Sequence, residues 1–273
     1  MRAQQRVVVV AGACGGVGTS TLAALVAAEA ARAGAGTALV DVAAHGAGIE
    51  VLLGVEGRPG ARWRDLDGLR GSIAPADLDG VLPVWRGVEV LGGDRRGGGP
   101  PGDALEAVWP ALRERCTTVV VDAPVTALDG DVGEVVLAGA PSVLVVTGQD
   151  VRGVAAALAA LAVLPPAAWA AGAGDPDDSR SAALVLRGRR APRVAPAEAA
   201  GVLGLPLAGV LPTDRGVAEA CDRGFGPVVG RRSALARAVA RVTRAAGVHP
   251  GGTASAGVGA RGEAAWGWDG ARV

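Results

Sequence analysis

The chain of 273 residues contains no lysine, no asparagine and no tyrosine. Arginine therefore supplies all 27 of its basic side chains. The three missing residues have AT-rich codons, so a GC-rich genome explains their absence without selection for function. The absence still excludes every catalytic mechanism that needs a lysine, asparagine or tyrosine side chain.

The chain also has few cysteines and no net charge. Cys14, Cys116 and Cys221 are an odd number without CxxC spacing, which excludes a disulfide framework and a zinc site of the usual kind. A formal net charge of +0 gives no general attraction to nucleic acid or to a membrane surface. We find no signal segment and no apolar run of membrane-spanning length, so we expect a cytoplasmic protein.

Half of the residues are hydrophobic, which is enough for a large core. Short apolar runs alternate with amphipathic stretches, a rhythm typical of a parallel sheet covered by helices. The predicted strands are 6–10, 37–42, 88–91, 117–122, 142–146, 182–186 and 207–211, and the main predicted helices are 20–34, 103–116, 150–164 and 214–224. The sequence therefore predicts an α/β protein with a doubly wound, mostly parallel sheet and helices on both faces.

The domain organisation predicted from the sequence is simple. Residues 1–248 are expected to form one domain, because the strand and helix rhythm resumes after the polar loop 171–180. Residues 249–273 are small and polar, and are predicted to be a disordered tail. The role of Trp266 and Trp268 in that tail stays open.

The stretch "VVVVAGACGGVGTST" (7–21) joins the first strand to the first helix through a glycine-rich turn. Such a turn forms an anion site, because unpaired main-chain N–H groups and the positive end of the helix dipole converge on it. Glycine lets the chain curl and lets a phosphate come close. The residues predicted to line the phosphates are Gly15, Gly16, Val17, Gly18, Thr19, Ser20 and Thr21.

Two nucleotide-binding families resemble this unit. Gly12, Gly16 and Gly18 have the GxxxGxG spacing of short-chain dehydrogenases, and Asp41 ends the second strand where a ribose-binding acid belongs. That family works with a Tyr-x-x-x-Lys arrangement and a supporting asparagine. Because this chain has none of the three residue types, hydride transfer of that kind is excluded, and only a bare dinucleotide site would remain.

The second resemblance is to the P-loop ATPases of the MinD/ParA superfamily. "CGGVGTST" (14–21) is similar to their KGGxGK[ST]T loop. The stretch 37–55 resembles their second strand and first switch, and "TTVVVDAP" (117–124) resembles their Walker B strand. The stretches 141–158 and 203–228 look like the later strands and helices, so the resemblance covers about residues 6–246.

Within that superfamily, residues 60–97 resemble the actinobacterial CpaE-like, septum-site-determining group. This resemblance implies a role in positioning a division septum or a pilus or secretion assembly, with protein partners and a nucleotide-dependent homodimer. Members often carry a further N-terminal domain. This chain begins almost at its first strand, so we expect that domain to be absent.

The resemblance also implies a ligand, and the sequence departs from the family at several of the residues expected to bind it. ATP or ADP with Mg²⁺ is the expected cofactor, with Ser20, Asp41 and Asp122 around the metal. Cys14 and Thr19 stand where the family has its two loop lysines, and Ala43 replaces the second switch aspartate. The Walker A loop is thus degenerate, and we expect weak or absent hydrolysis because the cations that stabilise phosphoryl transfer are missing. Arg187 stands where the family has an asparagine near the base.

Three alternatives stay open. The chain is either a nucleotide-binding regulator, an interaction scaffold with a relic loop, or an ATPase completed by a partner's arginine. A DNA-binding partition protein is disfavoured by the neutral charge.

The last helix, 231–247, has an apolar face and an arginine face. We expect the apolar face to pack on the sheet. A peripheral contact with the inner face of the membrane is the weaker alternative.

Overall fold

The computed structural model describes residues 5–46, 48–93, 98–138, 142–164, 181–189 and 191–248. The loop predicted at 171–180 and the tail predicted at 249–273 lie outside these residues. Among the described helices, none is both long enough and apolar enough to cross a bilayer.

Eight strands form one sheet in the order β3-β4-β2-β5-β1-β6-β7-β8. Every neighbouring pair is parallel except β3 and β4, which are antiparallel. The prediction of a mostly parallel sheet is confirmed. The strands are β1 (Arg6–Gly12), β2 (Thr37–Asp41), β3 (Val84–Trp85), β4 (Val88–Leu91), β5 (Thr118–Pro124), β6 (Ser142–Gly148), β7 (Ser181–Arg187) and β8 (Leu207–Leu211).

Eight α-helices accompany the strands in the described part of the chain. The helices are α1 (Thr19–Arg32), α2 (Gly48–Leu53), α3 (Gly102–Arg115), α4 (Asp131–Leu137), α5 (Val151–Val163), α6 (Pro196–Leu203), α7 (Arg215–Asp222) and α8 (Ala234–Ala245). The sequence analysis did not predict α2, α4 and α6, which have six to eight residues each and too few turns to show a clear apolar period.

The sheet separates two apolar layers, as expected for a doubly wound fold. Along β1, Val7 and Val9 point into one layer, while Val8 and Val10 point into the other. The first layer contains the buried faces of α3, α4, α5 and α6, and the second contains those of α1 and α8. Buried strands that are apolar on both faces read as unbroken valine runs, which is why β1, β5 and β6 could be predicted from sequence.

Helix α8 packs on the sheet with its apolar face, as predicted. Leu235, Val239 and Val242 are at most 4% exposed, and Arg237 and Arg241 lie on the exposed side. The helix contacts β8 and α1. The membrane alternative for this face is therefore not needed, because the apolar surface is already covered.

The segment after α2 is held by a buried ion pair between Arg62 and Glu50. The Arg62 Nε atom lies 2.5 Å from a Glu50 carboxylate oxygen, and the two side chains are 8% and 2% exposed. The other guanidinium nitrogens of Arg62 donate to the carbonyl oxygens of Gly60 at 2.6 Å, Val55 at 3.1 Å and Arg58 at 3.1 Å. A single arginine therefore ties the chain from 55 to 62 to α2.

Replacing Arg62 by alanine is expected to lower the free energy of unfolding by about 3–5 kcal/mol, because Glu50 would keep a buried charge without its partner. Urea unfolding followed by circular dichroism measures this change. Arg231, which is exposed, provides the matched control, and R231A is expected to change stability by less than about 0.5 kcal/mol. Equal effects of the two substitutions would show that the buried pair does not hold this segment.

Candidate functional site: a glycine loop beside a buried carboxylate pair

The loop between β1 and α1 is curled and open. Gly16 and Gly18 have φ values of 76° and 87°, in the left-handed region that favours glycine. A methyl group placed on Gly15, Gly16 or Gly18 would meet no protein atom within 4 Å. The loop thus has the backbone conformation that the sequence predicted, and the space beside these three glycines is free for a ligand.

The amino end of α1 faces this space. Gly18 is the residue before the helix, and the first helical bond runs from the Leu22 N–H to the Gly18 carbonyl at 2.9 Å. The N–H groups of the first helical turn have no partner within the helix, and no acidic side chain occupies that turn. The helix therefore presents donors and a positive dipole end to an anion. Val17 contributes only main chain, because its side chain is 6% exposed and packs in the α1 layer.

Thr19 occupies the position where the resemblance implies a lysine. Its side chain turns back over the end of β1, so that a Cβ atom on Gly12 would lie 2.4 Å from Thr19 Oγ1. The threonine side chain is short and uncharged, so it brings no positive charge toward the open side of the loop. Cys14, at the other lysine position, is partly buried against the α1 layer. Each of the two positions therefore carries a small, uncharged side chain that is packed against the protein.

Asp41 and Asp122 form a buried carboxylate pair at the carboxyl ends of β2 and β5. They are register partners on adjacent parallel strands, which lie about 4.8 Å apart in a sheet. Asp41 is 3% exposed and Asp122 is 4% exposed. Burial and the neighbouring Asp41 charge raise the pKa of Asp122 to about 7, although a hydrogen bond with the Ser20 side chain opposes the shift. Burial also raises the pKa of Asp41.

The main chain around Asp41 is fixed by several hydrogen bonds. The Asp41 carboxylate accepts hydrogen bonds from the Ala43 and Ile49 N–H groups, both at 2.9 Å. The Val42 N–H donates to the Asp122 carbonyl at 3.1 Å. The Trp63 indole N–H donates to the Asp41 carbonyl at 2.7 Å. Sequence reasoning missed this role of Trp63, because the two residues are 22 positions apart and no spacing rule connects them.

The donor set fits Mg²⁺ together with phosphate. Ser20 offers a hydroxyl, Asp122 and Asp41 offer carboxylates, and Mg²⁺ prefers such oxygen ligands completed by water and phosphate. No group of three or more His, Cys, Asp or Glu side chains with metal-binding geometry occurs among the residues that the structure describes. A Mg²⁺ ion at this place would accordingly need phosphate oxygens and water as further ligands.

Ala43 and Arg187, which the sequence analysis singled out, lie just after β2 and at the end of β7. Ala43 is half-buried in the loop after β2, and His45 in the same loop is exposed. The Arg187 guanidinium donates to the Pro212 carbonyl at 3.3 Å, at the ends of β7 and β8. Arg152 and Arg215 are exposed near the amino ends of α5 and α7.

Comparison with known proteins agrees with this architecture. Residues 3–82 match the ParA family model, described as NUBPL iron-transfer P-loop NTPase. A ParA family ATPase from Chlorobium tepidum aligns over 89% of this chain and 98% of its own, with a TM-score of 0.66 and 17% identity. The chain has the fold of the MinD/ParA superfamily of P-loop NTPases.

Further structures share the MinD/ParA fold at low identity. A chain of the MinC:MinD cell division protein complex of Aquifex aeolicus aligns over 88% of this chain and 94% of its own, with a TM-score of 0.65 and 19% identity. The septum site-determining protein MinD of Pyrococcus horikoshii, complexed with Mg-ADP, aligns over 89% and 95%, with a TM-score of 0.57 and 17% identity.

Two curated relatives are closer in sequence. They are the uncharacterized proteins MT3760 and Rv3660c from two strains of Mycobacterium tuberculosis, each 36% identical over 236 residues. The alignment covers 86% of this chain and 62% of each relative. The chain thus spans less than two thirds of the length of the curated relatives that it matches.

The metal-free protein is expected to lose stability as the pH rises from about 5 to 8. The folded chain holds a proton on Asp122 up to about pH 7, whereas the unfolded chain releases that proton near pH 4. The stabilisation that the protonated Asp122 gives the folded state is therefore complete below pH 4, and it is lost as the pH rises to 7. Urea unfolding in EDTA at pH 5 and pH 8 measures the effect. D122N is the control, and its stability should fall less over the same range; equal falls would contradict the assignment.

Proposed function

We propose that this chain binds Mg²⁺–ATP or Mg²⁺–ADP at the glycine loop and acts as a regulatory protein with weak or no hydrolysis. The observation that supports this most is the open, curled loop at the amino end of α1, facing the Ser20 hydroxyl and the Asp41–Asp122 pair. Main-chain donors and the helix dipole hold phosphate without a lysine. When bound, Mg²⁺ would neutralise phosphate charge and the repulsion between the two carboxylates.

In this proposal the main-chain N–H groups of Gly15 to Ser20 contact the phosphates. Ser20, Asp41 and Asp122 lie around the metal, and Asp41 also keeps the first switch in place through its bonds to Ala43 and Ile49. The Mg-ADP complex of the Pyrococcus horikoshii protein shows that a protein of this fold binds that ligand. Thr21, the third residue of α1, is the last of the residues that this proposal assigns to the nucleotide.

Weak hydrolysis follows from three missing groups. Phosphoryl transfer depends on cations around the developing charge and on an oriented water, and Cys14, Thr19 and Ala43 supply neither. Compositional drift from lysine to arginine would have kept the charge at position 19, but threonine does not. The loss at Thr19 is therefore more than a consequence of arginine-rich composition.

The regulatory role is proposed from proteins that share this fold. One neighbour is the MinC:MinD cell division protein complex, in which MinD is assembled with a protein partner. Together with the resemblance of residues 60–97 to the CpaE-like group, this favours positioning of a septum or a pilus or secretion assembly through protein contacts and a nucleotide-dependent homodimer. Iron transfer, named in the matching family description, is not supported, since the cysteines lack CxxC spacing.

Two other functions compete with this proposal. A scaffold with a relic loop would bind partners without nucleotide, and an ATPase completed by a partner's arginine would turn over only in the complex. Nucleotide titration separates the first from the proposal, and turnover measured with and without candidate partners separates the second.

Mg²⁺–ATP is expected to raise the melting temperature of the protein, because a ligand present at one hundred times its Kd stabilises the folded state by about 2.7 kcal/mol. Differential scanning fluorimetry with ATP in Mg²⁺ and in EDTA measures the shift. S20A should lose most of the Mg²⁺-dependent part, since the hydroxyl beside Asp122 is removed. T243A, which truncates a buried hydroxyl of α8, is the control for a simple loss of stability. No shift in the wild type would support the relic-loop scaffold instead.

The double substitution T19K/A43D is expected to restore hydrolysis, because it returns a loop cation and a switch carboxylate. A positioned group of this kind is worth about 10²–10³ in turnover, so we expect a gain of at least about 100-fold over the wild type. Steady-state phosphate release measures it. T19V/A43N is the matched control without the charges and should stay at the wild-type rate. If T19K/A43D also stays there, hydrolysis is not limited by these missing groups.

A further inference from the structure

The loop after α7 exposes the only phenylalanine of the chain. Phe225 is 65% exposed and Val228 is 42% exposed, whereas Gly226 and Pro227 between them are buried. The two exposed side chains belong to one loop and are three residues apart, so they form a patch rather than isolated surface residues. Apolar patches with a polar rim mark interaction surfaces, and this small one fits a few side chains of an occupant.

This loop is held from two directions. Gly226 has a φ of 72°, and a Cβ atom there would lie 2.9 Å from the Trp85 Nε1 atom of β3, so the loop needs glycine to approach the indole this closely. The Phe225 N–H also donates to the Ala220 carbonyl of α7 at 2.9 Å. Phe225 is therefore presented on a fixed segment beside the edge strand of the sheet.

Arginine side chains lie on either side of Phe225. The Arg86 guanidinium carbon is 5.5 Å from the centroid of the Trp85 ring, which the loop also contacts. Arg223 comes two residues before Phe225, is 66% exposed and forms a loose ion pair with Glu219 at 3.8 Å. Both arginines can therefore face an occupant of the apolar patch.

The chain that follows the loop is also basic. Residues 223–248 contain six arginines and no acidic residue, although the net charge of the whole chain is zero. One of these arginines, Arg231, is exposed at the end of the loop. We call the whole group the Phe225 surface, and it consists of Phe225, Val228, Arg86, Arg223 and Arg231. Its chemistry fits an occupant that combines aromatic rings with negative charge.

The carboxyl-terminal part of the chain has this composition. Residues 262–271 (GEAAWGWDGA) place Trp266 and Trp268 between Glu263 and Asp269 and include no basic residue. The two indoles match the exposed phenyl ring, and the two carboxylates match the arginines around it. The segment 263–269 is thus complementary to the Phe225 surface in both polarity and charge.

The described chain ends on the same side of the sheet as this surface. The register partners across β1, β5, β2, β4 and β3 are, in order, Arg6, Thr118, Thr37, Val88 and Trp85. Four strand spacings of about 4.8 Å separate the two ends of this row by about 19 Å. Gly247 abuts the Arg6 guanidinium, and Val248 packs in the same apolar layer as Trp85.

The length of chain between Val248 and the tryptophans matches this separation. Trp266 comes 18 residues after Val248. A glycine-rich linker of that length has an r.m.s. end-to-end distance of about 21–25 Å. A linker whose r.m.s. length matches the span keeps its two ends together at an effective concentration of about 1 mM. A contact with a Kd of about 100 µM would therefore be formed about nine-tenths of the time.

We propose that residues 263–269 dock on the Phe225 surface of the same chain, with the tryptophans on Phe225 and the carboxylates toward the arginines. This docking is independent of the nucleotide proposed for the glycine loop. It nevertheless reaches the first switch, because Gly224 abuts Gly54 just after α2, and the other end of α2 is bonded to Asp41.

The test is the binding of a fluorescently labelled peptide of residues 259–273 to the full chain, measured by anisotropy. W266A/W268A is expected to bind this peptide with a Kd of about 100 µM or lower, because its own tail no longer occupies the surface. The wild type should bind the peptide about tenfold more weakly, since a tethered competitor at about 1 mM has the same Kd.

Substitutions on the surface identify the docking site. In the W266A/W268A background, F225S should weaken peptide binding at least about tenfold. V202S in the same background is the matched control, because Val202 is an apolar residue of α6 that is 53% exposed on the other side of the sheet. R86Q/R223Q should weaken binding about fivefold, as expected for two exposed ion pairs, and R244Q is the control for charge alone.

Hydrogen exchange measured by mass spectrometry reports on docking in the intact wild type. The amides of residues 223–230 should exchange up to about tenfold more slowly in the wild type than in W266A/W268A, because the docked tail covers them. W169A, which removes a tryptophan from another segment, is the control and should exchange at the wild-type rate.

Three results would overturn the proposal. One is an equal peptide affinity of the wild type and W266A/W268A together with equal exchange at 223–230. Another is peptide binding that R86Q/R223Q removes and F225S leaves unchanged, which would be attraction by charge alone. The last is a concentration-dependent dimer of the wild type, seen by sedimentation, that W266A/W268A abolishes, since the tail would then dock on a second copy.

Discussion

The electrostatic repulsion between Asp41 and Asp122, which are register partners on β2 and β5, constrains the rest of the candidate site. Two carboxylates sit side by side at the ends of β2 and β5, each almost without solvent, and such a pair cannot keep both charges unless a proton or a cation lies near. Ser20, at the start of α1, brings the third oxygen to the same place. Because β2, β5 and α1 supply one group each, the doubly wound order of the sheet is what assembles the site.

In the proposed phosphate site, the glycine loop supplies main-chain donors, and the side chains of the loop supply no cation. Curled glycines and the amino end of α1 remain open, while Thr19 packs against Gly12 and Cys14 packs toward the core. Holding an anion needs only the main-chain donors, whereas cleaving it needs cations as well. At another point of the same sheet edge, a cavity is lined by Arg189, Arg215, Arg237 and Arg241, of which Arg189 is paired with Asp150.

The elements that could be predicted are those that leave a simple local pattern of apolar residues or glycines in the sequence. Unbroken valine runs identified β1, β5 and β6, and the glycine turn identified the loop, because these signals are local. The two-residue strand β3 was missed, since Val84 and Trp85 are held by an antiparallel neighbour and show no period of their own. The bond from Trp63 to Asp41 and the convergence of Arg215 with Arg237 and Arg241 depend on how distant segments pack. Tertiary contacts of this kind leave no spacing rule in the chain.

The central claim is that the main chain of the loop, with Ser20 and the carboxylate pair, holds Mg²⁺ and phosphate in the absence of a loop lysine. The most direct measurement is a crystal structure of the protein with Mg²⁺ and a non-hydrolysable ATP analogue. The account predicts phosphate oxygens within hydrogen-bond distance of the N–H groups of residues 15–20, with Mg²⁺ bonded to Ser20 and close to Asp122. A loop that holds no phosphate while the analogue binds elsewhere, or does not bind, would contradict the account.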